Sequence, residues 1–263
     1  MSSFLSRIVV VLIGAPIVLG AVYEDGWWLF ALLAVAALIG LHEFYRMARP
    51  LRPLVLAGYG GVVASLVGAK LGGVEWMLGG FLATFLLAFL FFLVSSTRAP
   101  ATVAISGTIS GAAWIGFGLG FLLLLRDLPA HGRLTSFAVL IAVWADDTVA
   151  YLIGRALGRH RFSPTLSPKK TWEGFVAGTG AAVFATFIVF YKQHFLTVTQ
   201  SIVLGVVVAV AAALGDLFES ALKRDMQVKD SGSLLAGHGG VLDRVDAFLF
   251  ALPAAYFTVL ALT

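Results

Sequence analysis

Three apolar stretches of this sequence carry carboxylates that a hydrocarbon solvent would penalise. Residues 144–148 contain Asp146 and Asp147, a second stretch contains Asp216 and Glu219, and a third opens with Asp243 and Asp246. A charge at bilayer depth costs about 2.5–3.5 kcal/mol on insertion scales, so such residues face a polar cavity, a counter-charge or a metal. Helical spacing places Asp216, Ser220 and Lys223 on one face and makes Glu219 and Lys223 an i, i+4 pair. Glu219 therefore has two readings: a structural ion pair, or a member of a site. Asp243 and Asp246 are i, i+3 neighbours close to a helix start, where the dipole favours anions. Helix capping would explain one aspartate; two, with Arg244 between them and Gly239-Gly240 before them, point to a ligand set. Oxygen ligands without His pairs or Cys suit a hard cation such as Mg2+, which takes one or two carboxylates plus substrate phosphates.

Two basic segments adjoin these carboxylates. The first runs from Arg159 to Gly174 and places Lys169 and Lys170 beside Ser167, Thr171 and Glu173. Cations beside hydroxyls at a helix start make a polyphosphate cradle. Lys170-Thr171 superficially matches the end of a Walker A motif, but the preceding glycines and strand are missing. A lipid-headgroup anchor would account for Arg159 and Arg161; it gives no reason for the hydroxyls and prolines. The second segment, Ser220 to Asp246, holds Lys223, Arg224, Lys229 and Asp230, then Gly237-His238-Gly239-Gly240. Its glycines allow backbone N–H groups to approach phosphate oxygens. His238 is read as a donor to a phosphate in preference to a structural loop histidine.

The elements that must position these residues are membrane helices. The chain has 263 residues, 60% hydrophobic and 12% charged, against about 45–50% and about 25% in soluble domains. Mean hydropathy is +0.96. These values exclude a soluble globule and a disordered chain. There is no cysteine, hence no disulfide, thiolate metal site or cysteine nucleophile. About nine apolar runs approach the ~20 residues a span requires: roughly 8–23, 26–42, 54–70, 74–95, 101–125, 134–157, 174–191, 201–222 and 241–262. The first, after Arg7, is read as an uncleaved helix, because no clear small-x-small site precedes Glu24-Asp25. With the N-terminus inside, all of the 18 basic residues except Lys70, Arg126, Arg133 and Lys192 fall on the cytoplasmic side. The expected fold is an all-α integral membrane protein of about nine transmembrane helices, N-terminus cytoplasmic and C-terminus on the outer side. The net charge of +4 is then positive-inside bias, and no nucleic-acid partner is expected. Of the 14 carboxylates, only Glu24, Asp25, Glu43, Glu75 and Asp127 precede residue 134. Residues 1–98 are accordingly read as packing helices 1–4, residues 99–133 as helix 5 with a dimer contact, and residues 134–263 as the catalytic helices 6–9. Gly116, Gly118 and Gly120 read as a close-packing face.

From Ser220 to Asp246 the sequence resembles the phosphatidate cytidylyltransferases (CDP-diacylglycerol synthases). The family signature is Ser-x-apolar-Lys-Arg, four residues, Lys-Asp, a spacer, then His-Gly-Gly-apolar-x-Asp-Arg-apolar-Asp, and every spacing is kept here. Ala236 stands where the family usually has Pro or Gly. Asp147-x-x-Ala150-Tyr151-x-x-Gly154-Arg155 and Ser167-Pro168-Lys169-Lys170-Thr171-x-Glu173-Gly174 extend the match. The resemblance implies the conversion of CTP and phosphatidate to CDP-diacylglycerol and pyrophosphate. It also implies Mg2+, in some members a second monovalent cation such as K+, a homodimer, and an inner (cytoplasmic) membrane location with the site facing the cytoplasm.

That chemistry assigns roles. Asp216 and Asp243 would hold Mg2+, with Asp246 on a second cation or in the outer shell. Lys223, Arg224, Lys229 and Arg244 would neutralise the charges of CTP and phosphatidate. Ser167, Lys169, Lys170 and Thr171 would hold polyphosphate or lipid phosphate, and Asp147 would orient one of these cations. Glu173, Ser220, Asp230, His238, Gly239 and Gly240 complete the expected substrate contacts. Two alternatives are a CTP-dependent polyprenol or dolichol kinase and, from a different class, a cation-coupled transporter. Transporters tend to show inverted repeats with broken helices in both halves, whereas the polar residues here crowd into one half.

Overall fold

The structure, a computed structural model, describes residues 3–96, 99–193, 195–232 and 239–263. In chain order these form α1 (Ser3–Glu24), α2 (Gly26–Met47), α3 (Val55–Val94), α4 (Ala101–Gly111), a π-helical stretch (Ala112–Phe117), α5 (Gly118–Arg126) and α6 (Gly132–Leu157). A hairpin of β1 (Arg161–Ser163) and β2 (Ser167–Thr171) follows, then α7 (Trp172–Phe190), α8 (Val198–Asp225) and α9 (Leu242–Leu262). Each of the nine apolar runs matches helical structure to within one residue at its ends. Among the described residues, seven helices are long and apolar enough to cross a membrane: α2, α3, the continuous stretch Ala101–Arg126, α6, α7, α8 and α9. Large apolar side chains stand on their outer faces, Leu86, Val94 and Phe184 among them. In water that would be costly; a bilayer is their natural solvent.

Two predicted spans, 54–70 and 74–95, are joined in α3 without a loop. Gly73 breaks the helix with φ +72° and ψ −155°, a conformation open essentially only to glycine that costs a side-chain-bearing residue about 1–3 kcal/mol. The two arms then fold on each other through glycines. Gly61 sits on Thr84, Gly68 on the backbone of Trp76, and Gly80 on the backbone of Ala64.

The chain divides into two compact units, residues 1–124 with 225–245, and residues 125–224 with 246–263. In the first, Leu29, Leu33, Ala37 and Leu41 repeat every four residues along α2 and are buried, the stripe a packed helix needs. Tyr45 Oη donates to the Thr108 carbonyl at 2.7 Å, and Thr108 Oγ1 accepts from Leu54 N–H at 2.7 Å. The start of α3 is thereby tied to α4.

In the second unit α6 and α7 pack along a seam of small residues. Gly154 meets Gly174, and Gly178 lies against Asp146 and Ala150. The segment between these helices, expected as a loop, is an antiparallel hairpin pairing Arg161 with Thr171 and Ser163 with Ser167. Thr171 caps α7 by accepting from Gly174 N–H at 3.2 Å, the usual role of a threonine before a helix. Phe162 stacks on Phe175 with centroids 5.1 Å apart and meets Trp172 edge-on at 4.6 Å, fastening the hairpin to α7. α8 joins α7 through Thr186 Oγ1, which donates to the Ser201 carbonyl at 2.9 Å. α9 packs on α8 where Gly215 meets the backbone of Asp246 and Ala247.

Candidate active site

The second unit contains a cavity of about 710 Å3 walled by α6, the hairpin, α7 and α8. The hairpin side and the end of α6 contribute Arg155, Arg159, Arg161, Lys169 and Lys170; α6 and α8 contribute Asp146, Asp147 and Asp216. Tyr151, Phe162 and Phe175 supply apolar wall. Five cations against three carboxylates leave a surplus of positive charge, which suits a polyanion. The volume lies within the roughly 300–1,000 Å3 typical of small-molecule pockets.

Lys170 Nζ lies 2.6 Å from Asp216 Oδ2. The two expected site residues, 46 positions apart in sequence, are thus brought together. Asp147 also lines the cavity, on an exposed turn of α6. Its neighbour Asp146 points inward, is 5% exposed, and has an Oδ1 with no hydrogen-bond partner. The pair was visible in sequence, but which member turns inward depends on the α6–α7 contact. Lys169 is exposed on the cavity wall. Ser167 is half-buried and pairs across the hairpin with Ser163. Glu173, expected among the substrate contacts, accepts from His160 N–H at 3.2 Å and contacts His160 Nδ1 at 2.6 Å.

A second group of carboxylates spans α8 and α9 in the same unit. Glu219, 1% exposed, forms an ion pair with Lys223, the structural reading of the i, i+4 spacing. Asp246 lies close to Glu219 and within electrostatic range of Asp216. The close approach at Gly215 makes this possible. Ser220 Oγ contacts Asp216 Oδ1 at 3.5 Å. Arg224 is exposed at the end of α8.

Asp243 belongs to the first unit and is held by a different set of donors. Its carboxylate accepts from Gly240 N–H at 2.6 Å, from Ser231 Oγ at 2.8 Å and from Ser231 N–H at 3.2 Å. Gly239, with φ +77°, sits directly against this carboxylate. Beside it is a residue that was not expected at the site. Glu43 of α2, 2% exposed, accepts from Val241 N–H at 3.1 Å and Leu242 N–H at 2.8 Å. The available signal was a carboxylate near the C-terminal end of an apolar helix. Lys229, Asp230 and Arg244 are exposed. His238 lies outside the described residues, as does Ala236.

The donor set fits a hard divalent ion. Asp216 and Asp246 are neighbours, and the orphaned Asp146 oxygen is a carboxylate atom in want of a partner. Among the described residues no three carboxylates or imidazoles form a cage by themselves; Mg2+ sites complete their shell with waters and phosphate oxygens.

The chain matches the model of the cytidylyltransferase family over residues 5–262. A phosphatidate cytidylyltransferase of Mycobacterium bovis is 33% identical over 262 residues, covering 94% of this chain and 85% of that protein. One from Synechocystis sp. is 32% identical over 286 residues, covering 97% and 96%. One from Bacillus subtilis is 40% identical over 147 residues, covering 56% and 55%. On a match that runs from residue 5 to residue 262, this chain of membrane helices belongs to the cytidylyltransferase family and is a nucleotidyltransferase.

Proposed function

We propose that the chain transfers the cytidylyl group of CTP to phosphatidate, giving CDP-diacylglycerol and pyrophosphate. The observation that carries this reading is the cavity in which Arg155, Arg159, Arg161, Lys169 and Lys170 face Asp146, Asp147 and Asp216. The relatives' names, each a phosphatidate cytidylyltransferase, supply the substrates.

In this reading a non-bridging oxygen of the phosphatidate phosphate attacks the α-phosphorus of CTP. The bond from that phosphorus to the α,β-bridging oxygen breaks, and its electron pair leaves with pyrophosphate. The nucleophile is already an anion, so no side chain need act as a base and no covalent enzyme intermediate is required. Catalysis is positioning and charge neutralisation. Lys170 exchanges Asp216 for a phosphate oxygen as the triphosphate enters. Arg155, Arg159 and Lys169 offset the remaining charge, and Tyr151, Phe162 and Phe175 give the cavity an apolar side. Lys223, Arg224, Lys229 and Arg244 serve the second phosphorylated reactant. Asp216 and Asp243 would hold Mg2+, with Asp246 on a second cation or in the outer shell, and the ion would supply charge neutralisation at the transferred cytidylyl phosphate. The same reading expects nine spans with the N-terminus and the site on the cytoplasmic face of the inner membrane, a homodimer, and a monovalent cation such as K+ beside Mg2+.

The test is the fate of label from CTP in the presence of phosphatidate. Label at the α-phosphate should enter the lipid, and label at the γ-phosphate should leave as pyrophosphate. γ-Label in the lipid would identify a kinase and overturn the reading.

A further inference from the structure

Glu43 occupies a place that its own helix does not explain. It lies in α2, a helix of sufficient length and apolarity to cross a membrane, and it is 2% exposed. A buried carboxylate must be compensated. Two of its partners are backbone N–H groups almost two hundred residues away, those of Val241 and Leu242 at 3.1 and 2.8 Å. A third is Ser231, whose Oγ lies 3.4 Å from Glu43 Oε2.

These N–H groups stand at the start of α9, which has no local means of satisfying them. Helix starts leave amides without intrahelical acceptors. The usual remedy is a Ser, Thr, Asp or Asn at the cap and a Glu or Gln three residues later. Here Val241 precedes the helix and Arg244 stands three residues on; neither side chain can accept. Glu43 does from α2 what a capping-box carboxylate does from within the helix. Its charge also lies at the positive end of the helix dipole.

The same contact fixes the neighbouring carboxylate. Ser231 and Gly240 both touch Glu43: a Cβ at Gly240 would strike Glu43 Oε2 and Ser231 Oγ, and one at Gly232 would strike Glu43 Oε1. Ser231 and Gly240 also supply the donors to Asp243 described above. Glu43 therefore sets the groups that set Asp243.

We propose that Glu43 is a positioning residue: it caps α9 from another helix and so fixes the Asp243 carboxylate for the cytidylyl transfer. The inference rests on the function proposed above. Glu43 makes no contact with substrate in this role, because both of its oxygens are taken by protein donors.

The test compares wild type, Glu43→Gln and Ser231→Ala in lipid nanodiscs, by turnover and by amide hydrogen exchange. A glutamine keeps the shape but turns an NH2 group toward one of the two N–H donors. Loss of a hydrogen bond to a charged group predicts a fall in kcat on the order of tenfold to a hundredfold. KM for CTP should stay within about threefold and the Mg2+ concentration for half-maximal rate should rise, since Asp243, not the nucleotide cavity, is displaced. Exchange should quicken by about tenfold or more in peptides covering 239–245 and stay at the wild-type rate in those covering 161–175. Ser231→Ala should give the same local pattern, and carries the test if Glu43→Gln fails to fold. Wild-type turnover and protection in either variant overturn the proposal, as does faster exchange spread evenly over both regions. A wild-type protein that makes no cytidine-labelled lipid overturns the functional reading instead. The exchange pattern would still report whether Glu43 holds residues 239–245.

Discussion

Replacing Lys170 with methionine removes one charge while keeping most of the side chain's length, and the structure separates its two consequences. The first is loss of the pair with Asp216. At 2.6 Å the Coulomb attraction is about 6 kcal/mol for an effective dielectric constant of 20. Both side chains are about a third exposed, at 28% and 33%, so solvent and desolvation offset most of that. Pairs this exposed contribute about 0–1 kcal/mol to folding. The second consequence, on the proposed function, is loss of a cation that would face the triphosphate. Inside the cavity a charge-assisted hydrogen bond is worth about 1.5–3 kcal/mol, a factor of roughly 10–150 in rate. The catalytic loss should therefore exceed the stability loss. The expected outcome for Lys170→Met is a kcat/KM for CTP down by about 10–150-fold, with a midpoint of thermal unfolding within a few degrees of wild type. Asp216→Asn, made alone and with Lys170→Met, completes a double-mutant cycle, and the two effects should not add. A kcat/KM within threefold of wild type for Lys170→Met would refute the assignment of the cavity to the nucleotide. A large fall in unfolding midpoint with the residual activity unchanged per folded molecule would refute the partition between the two effects.

Three further outcomes are expected. Asp243→Asn should reduce turnover by at least about a hundredfold while leaving the amount of folded protein near normal in size-exclusion chromatography; near-normal turnover would remove Asp243 from the metal set. A single in-line displacement should invert configuration at the α-phosphorus of a chiral thiophosphate analogue of CTP, and net retention would indicate a nucleotidyl-enzyme intermediate. Thr171→Ala should lower stability by about 1 kcal/mol through loss of the α7 cap, read as a fall in unfolding midpoint, whereas Thr171→Ser should retain most of it.

The helices were legible in the sequence because a bilayer demands long apolar runs and tolerates little else. Even the two arms of α3 were separable, since Gly72-Gly73 interrupts an otherwise continuous stretch. Glu219 and Lys223 were readable as a pair because helical spacing alone brings them together. Lys170 and Asp216 were singled out by residue type, but their contact depends on how α7 and α8 pack, which no local pattern encodes. The hairpin at 161–171 lacks the apolar alternation of a strand and is stabilised from outside, by Phe175 and by Glu173 on His160. Glu43 was hardest to see. Its partners are backbone amides, which are the same in every sequence, and they lie at the far end of the chain.

The α6–α7 seam bears on how this enzyme can adapt. At Gly154 and Gly174 the two helices meet backbone to backbone, and at Gly178 they meet through the short side chains of Asp146 and Ala150, so that wall has few rotamers to change. Fitting a bulkier or slimmer reactant must fall to the opposite walls, where long flexible arginines and lysines line the opening. Variation that retunes substrate choice should therefore accumulate on the hairpin and on α8, and leave the glycine seam untouched.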